Sequence, residues 1–267
     1  MKPPSSEFDE DVNKLAAQYG SVAAGITILL AGIAGAPTPD LTQAQQRIRQ
    51  SLTALLTLAV SWVNLHVPKV YRSGVEDSLR AIGVTSNDEL RAQADEAMKN
   101  VEHQRAMQAL AESLRDDLQG AAGGIERDAN KTLNRIRQRN VQQALSSGSP
   151  LQPVEAFSQE IRDKGIGLTD KAGRRWGPEQ YAAMSLRTHV ATILNAGHIN
   201  KALEMGSLYV KVFDGGPGDV DEPCQRANGQ VWHVSHAIAE PLEHPNCRRS
   251  FAALDKDYSG KVDRSVE

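Results

Sequence analysis

Apolar residues recur at helical spacing through the first half of the chain. Beyond Asp40 they lie three or four residues apart, at Ile48, Leu52, Leu55, Leu56, Ala59 and Val63. This period predicts an amphipathic helix over 41–65. Asp40 has the side chain of a good N-cap, and Pro68 is expected to end the helix. A shorter helix is predicted over 73–81.

The helical pattern resumes after residue 86. Ser86 and Glu89 have the spacing of a capping box, in which a serine at the N-cap is followed three residues later by a glutamate. The helix that begins there is predicted to end near residue 118, where glycines at 120–124 are expected to break it. A further helix is predicted over 125–145.

The sequence texture changes after the segment SSGSP at 146–150, which is typical of a linker. Pro178 suits the first turn of a helix, and that helix is predicted to reach about residue 205. β-branched and aromatic residues predict strands over 208–213 and 229–234. We therefore predict a mainly α N-terminal helical region and a small α+β C-terminal domain that contains a Cys/His knot.

Four regions are predicted from these changes in texture. A helical region with an apolar hairpin covers 1–146, and a linker and turn segment covers 147–177. The α+β domain covers 178–254, and a polar tail covers 255–267. The tail half-matches a calcium loop, but Val266 stands where such a loop needs a bidentate glutamate.

Charge and composition narrow the class of protein. The 267 residues carry 30 Lys and Arg against 33 Asp and Glu, which gives a formal charge of −3. This balance argues against a strongly basic nucleic-acid coat. Aromatic residues make up only 4% of the chain, which favours helices over a β-sandwich. A polar, acidic start and only two cysteines predict a chain made in a reducing cytoplasm.

An uncharged segment at 22–36 raises the question of a membrane. Its 15 residues fall short of the roughly 20 that a spanning helix needs, and it contains three glycines. We predict that it packs with the apolar stretch at 52–63 as a buried helical hairpin and forms no stable membrane span. The alternative is a membrane-active segment of an ejection protein.

Cysteine and histidine residues cluster near the C-terminus, and a metal site is one interpretation of this cluster. Cys224, His244 and Cys247 supply three ligand types that zinc prefers, and zinc needs four. The fourth candidates are His233, His236 and Asp221. A structural zinc site, a disulfide and two buried thiols all remain open at this point, although a reducing compartment disfavours the disulfide.

Two further features concern nucleic acid and catalysis. Four basic residues follow one helix face at four-residue spacing: Arg127, Lys131, Arg135 and Arg139. A solvated face is the preferred interpretation, and contact with DNA phosphates or an acidic protein is the alternative. The sequence contains no phosphate loop and no nucleophile elbow, so we expect no enzymatic activity. A zinc-dependent nuclease or toxin-like enzyme built on the Cys/His group is the alternative.

The C-terminal motifs resemble those of a known phage family. The stretch VKVFDGGPGDVDEPCQRANGQVWHV and the later EHPNCRRSF are similar to the C-terminal domain of the phage Mu F-like minor capsid, or head morphogenesis, proteins. The matching positions are Arg187, Asn195, Gly197, Asp214, Asn228, Gly229, Pro245, Asn246 and Arg248. The HPNCRRSF ending looks like that of members from phages of actinobacteria. Asp221 and Arg249 stand where many members have cysteines, so a four-cysteine zinc site is not available here.

The resemblance implies a role in the phage head. Proteins of this family associate with the portal protein, lie inside the head, and assist assembly or early DNA delivery. The expected partners are therefore the portal and, in addition, the major capsid or scaffold protein. The helical N-terminal region would form the portal or head contact, and the protein would be found in the virion, in the head interior near the portal.

Overall fold

The computed structural model describes residues 4–36, 39–145, 153–170, 172–214 and 222–265. A short 3₁₀ helix, Pro4–Phe8, precedes the first long helix. The helices are α1 Asp9–Ala34, α2 Leu41–Ala81, α3 Asn87–Lys99, α4 Val101–Leu145, α5 Val154–Lys164, α6 Pro178–Glu204, α7 Glu222–Ala227 and α8 Val234–Ala239. The strands are β1 Leu168–Thr169, β2 Arg175–Trp176, β3 Tyr209–Phe213, β4 Val231–His233 and β5 Ser250–Ala253. The predicted fold class, mainly helical with a small α+β part, is confirmed.

Helix α2 corrects the prediction that Pro68 ends a helix, because it continues through this proline to Ala81. Pro68 lies on the exposed side of α2, whereas Val67, Val70 and Tyr71 beside it are buried. A proline costs about 3 kcal/mol inside a helix. Burial of the neighbouring apolar side chains offsets that cost, so packing overrides the local preference.

The helix predicted from residue 86 to about residue 118 is instead two helices. Ser86 does cap α3, since its side chain accepts a hydrogen bond from the Glu89 N–H. At Asn100 the backbone is extended, and its Oδ1 accepts the Glu102 N–H at 2.9 Å. Asparagine side chains compete in this way with helix hydrogen bonds, which explains the break.

The predicted glycine break at 120–124 is also wrong, because α4 runs unbroken to Leu145. A Cβ added to Gly124 would lie 2.8 Å from the Leu168 Cβ. Ala121, Ala122 and Ile125 around it are buried. The small residues here permit close packing rather than ending the helix.

The chain forms two compact units, each assembled from segments distant in sequence. Unit 1 contains Met1–Val12, Trp62–Arg115 and Met184–Glu267, and unit 2 contains Asn13–Ser61 and Asp116–Ala183. Helices α1, α2, α4 and α6 therefore contribute to both units. The linker predicted at 146–150 lies outside the described residues.

Unit 1 contains a three-stranded antiparallel sheet in the order β4-β3-β5. Strands β3 and β4 confirm the two strands predicted from composition, while β5 was not predicted. The central residue Val210 pairs with Trp232 on one side and Ala253 on the other. Phe213 at the end of β3 pairs with Ser250 at the start of β5, so Asp214 and Arg249 leave the sheet side by side.

Unit 2 is held by helix packing and by buried hydrogen bonds between its helices and loops. The Tyr19 hydroxyl donates to the Leu118 carbonyl at 3.0 Å, and burial raises the pKa of this tyrosine. Thr27 Oγ1 accepts the N–H of Ile166 at 2.9 Å. These bonds satisfy polar groups that would be costly to bury alone.

The end of the described chain lies along β4. The His233 N–H donates to the Arg264 carbonyl at 2.8 Å, and Asp263 Oδ2 accepts the N–H of Val231 at 3.0 Å. Lys261 Nζ lies 2.7 Å from the other Asp263 oxygen. Asp263 is thus engaged by the sheet edge and a lysine rather than arranged as a cation ligand.

Two helices are long and apolar enough to cross a membrane, judged by length and composition only. They are the helical stretch Ser6–Ala34, which joins part of the 3₁₀ helix to α1, and helix α2. In each, 39% of an apolar segment of 18 residues is buried within the protein. Core helices of soluble proteins meet the same criterion.

Candidate functional site

The tight turn at His244–Cys247 places an imidazole and a thiol next to each other. The Cys247 N–H donates to the His244 carbonyl at 3.0 Å, and Asn246 has a positive φ of 65°. A proline followed by an asparagine with positive φ is the arrangement of a type II turn. The sequence His-Pro-Asn-Cys therefore encodes the turn that brings both ligand types to one side.

The short helix α7 carries the second thiol, and the loop after it fixes its position. Gly229 follows with a φ of 82°, which glycine adopts without strain. The Asn228 Oδ1 accepts the Asp214 N–H at 3.1 Å, and the Gly229 N–H donates to the Val212 carbonyl at 2.8 Å. The Asn-Gly pair thus ties Cys224 on α7 to the end of β3.

The three side chains meet at short distances. Cys224 Sγ lies 3.3 Å from His244 Nε2 and 3.9 Å from Cys247 Sγ. All three donor atoms lie within 4.8 Å of one another. The sulfur separation is far above the roughly 2.05 Å of a disulfide bond, so no disulfide joins them. Both cysteines are buried and His244 is partly exposed.

A backbone carbonyl on the side away from Cys224 fixes the orientation of the His244 ring. Its Nδ1 lies 2.9 Å from the Pro245 carbonyl oxygen, which can only accept a hydrogen bond. Nδ1 is therefore the donor in this hydrogen bond, and Nε2 faces Cys224. A backbone carbonyl on the far nitrogen is how proteins orient a metal-binding histidine.

Sequence reasoning missed the buried ion pair beside this group. Arg249 Nε donates to Asp214 Oδ2 at 2.7 Å, and its Nη2 donates to Glu243 Oε2 at 3.0 Å. Burial opposes the charge of Arg249, but the bonds to Asp214 and Glu243 raise its pKa above the usual value. Cys247 Sγ lies 3.7 Å from Asp214 Oδ1. A charged residue directly after HPNCR was the available signal.

Two of the three candidates for a fourth ligand have other contacts, and the third lies outside the described residues. His233 Nδ1 accepts the Ser235 N–H at 3.2 Å and so caps α8. His236 Nε2 lies 2.6 Å from the Ser265 carbonyl oxygen. Asp221 lies outside the described residues. Within the described part of the chain, the metal-ligand cluster contains Cys224, His244 and Cys247.

The remaining positions of the family motif have packing and anchoring contacts. Asn195 is fully buried and donates from Nδ2 to the carbonyls of Pro241 and Arg249, at 3.1 and 2.9 Å. A Cβ on Gly197 would lie 2.3 Å from the Tyr71 carbonyl oxygen, so glycine permits α6 to approach α2 within unit 1.

Two arginines of the motif meet one acidic residue. Arg248 Nη2 lies 3.2 Å from Asp9 Oδ2, and Arg187 Nε lies 4.0 Å from Asp9 Oδ1. Asp9 is the first residue of α1, where a carboxylate also favours the helix N-terminus. The motif arginines thus anchor the start of α1.

The basic face of α4 is partly occupied by α5 within unit 2. Arg135 forms an ion pair with Glu160 at 2.5 Å, and the guanidinium groups of Arg135 and Arg139 lie 5.4 and 4.7 Å from the Phe157 ring centre. These cation–π contacts hold α5 against α4. Arg127 and Lys131 complete the stripe, with Lys131 exposed.

The structure thus consists of long helices and a small α+β part that contains the group Cys224, His244 and Cys247. Residues 38–237, about three quarters of the chain, match the family described as Phage minor capsid protein 2. The chain belongs to this family. Neither the curated proteins nor the solved structures provide a significant match. Membership of this family gives the chain a capsid-related role and a location in the virion.

Proposed function

We propose that this minor capsid protein associates with the portal inside the phage head and assists assembly or genome delivery without catalysing a reaction. The family match over residues 38–237 is the observation that carries the proposal. The Mu F-like motifs at 214–251 support the portal-linked version of the role, because the resembling proteins act beside the portal. We assign residues 178–254 to that Mu F-like type on the same grounds.

The surface of two long helices supports a protein partner. Helix α2 carries no Asp, Glu, Lys or Arg from residue 50 to residue 68, yet Leu58 and Val60 on it are 45% and 42% exposed. On α1, Ile28 is 71% exposed within an uncharged stretch. Apolar side chains exposed on uncharged helices are typical of surfaces that contact other proteins.

The basic stripe on α4 gives less support to DNA as the main partner. Arg135 and Arg139 already contact Glu160 and Phe157, so their guanidinium groups are not all directed at solvent. With a formal net charge of −3, the chain also lacks the excess of cations that non-specific phosphate binding requires. Contact with portal, major capsid or scaffold protein is the better-supported expectation.

Peptide mass spectrometry on purified, DNA-filled virions tests the virion role. We expect peptides from the whole chain in mature particles and co-purification of the protein with isolated portal rings. Leu58→Glu should weaken capture by portal rings, because it places a charge on the uncharged surface of α2. Ala92→Glu, at an exposed position of the charged helix α3, is the matched control and should bind as the wild type does.

Two results would overturn the proposal. One is absence of the protein both from virions and from portal complexes. The other is metal-dependent DNA cleavage that His244→Ala abolishes, which would favour the nuclease alternative. Leakage of liposomes that requires residues 22–36 would instead support a membrane-active ejection protein.

A further inference from the structure

We propose that Cys224, His244 and Cys247 bind a zinc ion that joins α7 to the turn at 244–247. The proposal is independent of the portal role. It rests on the geometry of three side chains that are distant in sequence. His244 and Cys247 follow Cys224 by 20 and 23 residues, yet both side chains contact it. Two cysteines and one histidine form a donor set that zinc prefers, and both cysteines are buried.

Two of the distances between the donor atoms are close to the edges of a zinc tetrahedron. With Zn–S near 2.3 Å and Zn–N near 2.05 Å, two sulfurs should be about 3.8 Å apart, and a sulfur and a nitrogen about 3.6 Å. The observed separations are 3.9 Å for the two sulfurs and 3.3 Å for Cys224 Sγ and His244 Nε2. The third pair, Cys247 Sγ and His244 Nε2, lies within 4.8 Å, so the three donor atoms can close on one ion.

The ring nitrogen and the local charges also suit a divalent cation. Because the Pro245 carbonyl accepts a hydrogen bond from His244 Nδ1, Nε2 is the ring nitrogen that would bind a metal. Two thiolates and the Asp214 carboxylate would bring three negative charges, and Arg249 returns one positive charge. Glu243, at the exposed rim, adds a fourth negative charge beside Arg249. A divalent ion would offset most of the excess negative charge.

A carboxylate oxygen lies beside one of the three donor atoms. Asp214 Oδ1 lies 3.7 Å from Cys247 Sγ, while Arg249 holds the other carboxylate oxygen. This contact places a carboxylate against one of the ligand sulfurs.

Metal content of the purified full-length protein tests the site. After incubation with zinc and dialysis against metal-free buffer, we expect about one zinc ion per chain by plasma mass spectrometry. Cys224→Ser and Cys247→Ser should each lose most of it. His236→Ala is the matched control and should retain the wild-type amount, because His236 contacts the Ser265 carbonyl instead.

Cobalt(II) added to the wild-type protein provides a second test that does not depend on a variant folding. Binding at this site should produce sulfur-to-cobalt charge-transfer absorption together with the visible bands of tetrahedral cobalt. Added zinc should remove both signals. The proposal is overturned if wild-type protein retains no zinc and shows neither absorption, or if both serine variants retain as much zinc as the wild type.

Discussion

The guanidinium of Arg249 donates from Nε to Asp214 Oδ2 at 2.7 Å, with side-chain exposures of 1% and 0%. The register of β3 with β5 creates this contact, because Phe213 pairs with Ser250 and the next residues leave the sheet together. Arg249 also lies 4.9 Å from the Trp232 ring centre. The pair therefore fastens the segment after Cys247 to the end of β3.

Removal of the Arg249 side chain should destabilise the protein. Arg249→Ala leaves the Asp214 charge buried without its main partner, and we expect the free energy of unfolding to fall by about 3–5 kcal/mol. Urea denaturation followed by circular dichroism measures the change. Arg226→Ala is the control, since its pair with Glu222 is exposed and should be worth less than about 1 kcal/mol. Equal effects of the two substitutions would contradict the assigned role.

The turn at Asn246 should distinguish residues by their backbone preference. At a φ of 65°, glycine adopts the conformation freely, whereas a β-branched residue is strained. Asn246→Gly should leave stability near the wild-type value, and Asn246→Val should lower the free energy of unfolding by about 1–2 kcal/mol. Denaturant titration of both variants checks this. A valine variant as stable as the glycine variant would mean that the turn has another conformation.

Two glycines in helices should respond to alanine in opposite directions. A methyl group on Gly197 would meet the Tyr71 carbonyl oxygen at 2.3 Å and the Gly74 Cα at 3.2 Å. Gly197→Ala should therefore destabilise by about 1–3 kcal/mol through overpacking. An added Cβ at Gly120 meets nothing within 4 Å, so Gly120→Ala should stabilise by about 1 kcal/mol. Melting temperatures that shift the same way would refute the close approach at Gly197.

The acid response of Asp170 should reveal its contacts in the β1–β2 hairpin. A hydrogen bond from the Trp176 indole, opposed by burial and aided by bonds from Arg174, lowers the pKa of Asp170 from 3.8 to about 2. Because the folded pKa is the lower one, the stabilising contribution is present above pH 3.8 and disappears as the pH falls through about 2.

The Trp176 indole N–H resonance reports this titration directly. Its chemical shift should change with a midpoint near pH 2, and the change should be absent in Asp170→Asn. A midpoint at the ordinary carboxyl value of 3.8 would show that the contact does not hold in solution.

The features that the sequence determined by itself are local ones. Helical spacing, the Ser86 cap, the helix that begins at Pro178 and the two strands around β3 and β4 each depend on residues a few positions apart. The motif HPNC likewise specifies its own turn, because proline and asparagine have the dihedral preferences that the turn needs. These signals were sufficient to predict the fold class. The phage minor capsid family was predicted from the resemblance of the C-terminal motifs.

Tertiary structure decided the features that depend on distant contacts. Helix α2 continues through Pro68 and α4 continues through its glycines. Burial of neighbouring side chains offsets the low helix propensity of these residues. The meeting of Cys224 with His244 and Cys247, and of Asp214 with Arg249, depends on sheet register and on how α7 packs. Local propensity and spacing do not indicate which of several histidines lies beside the two cysteines. That depends on how the whole unit packs.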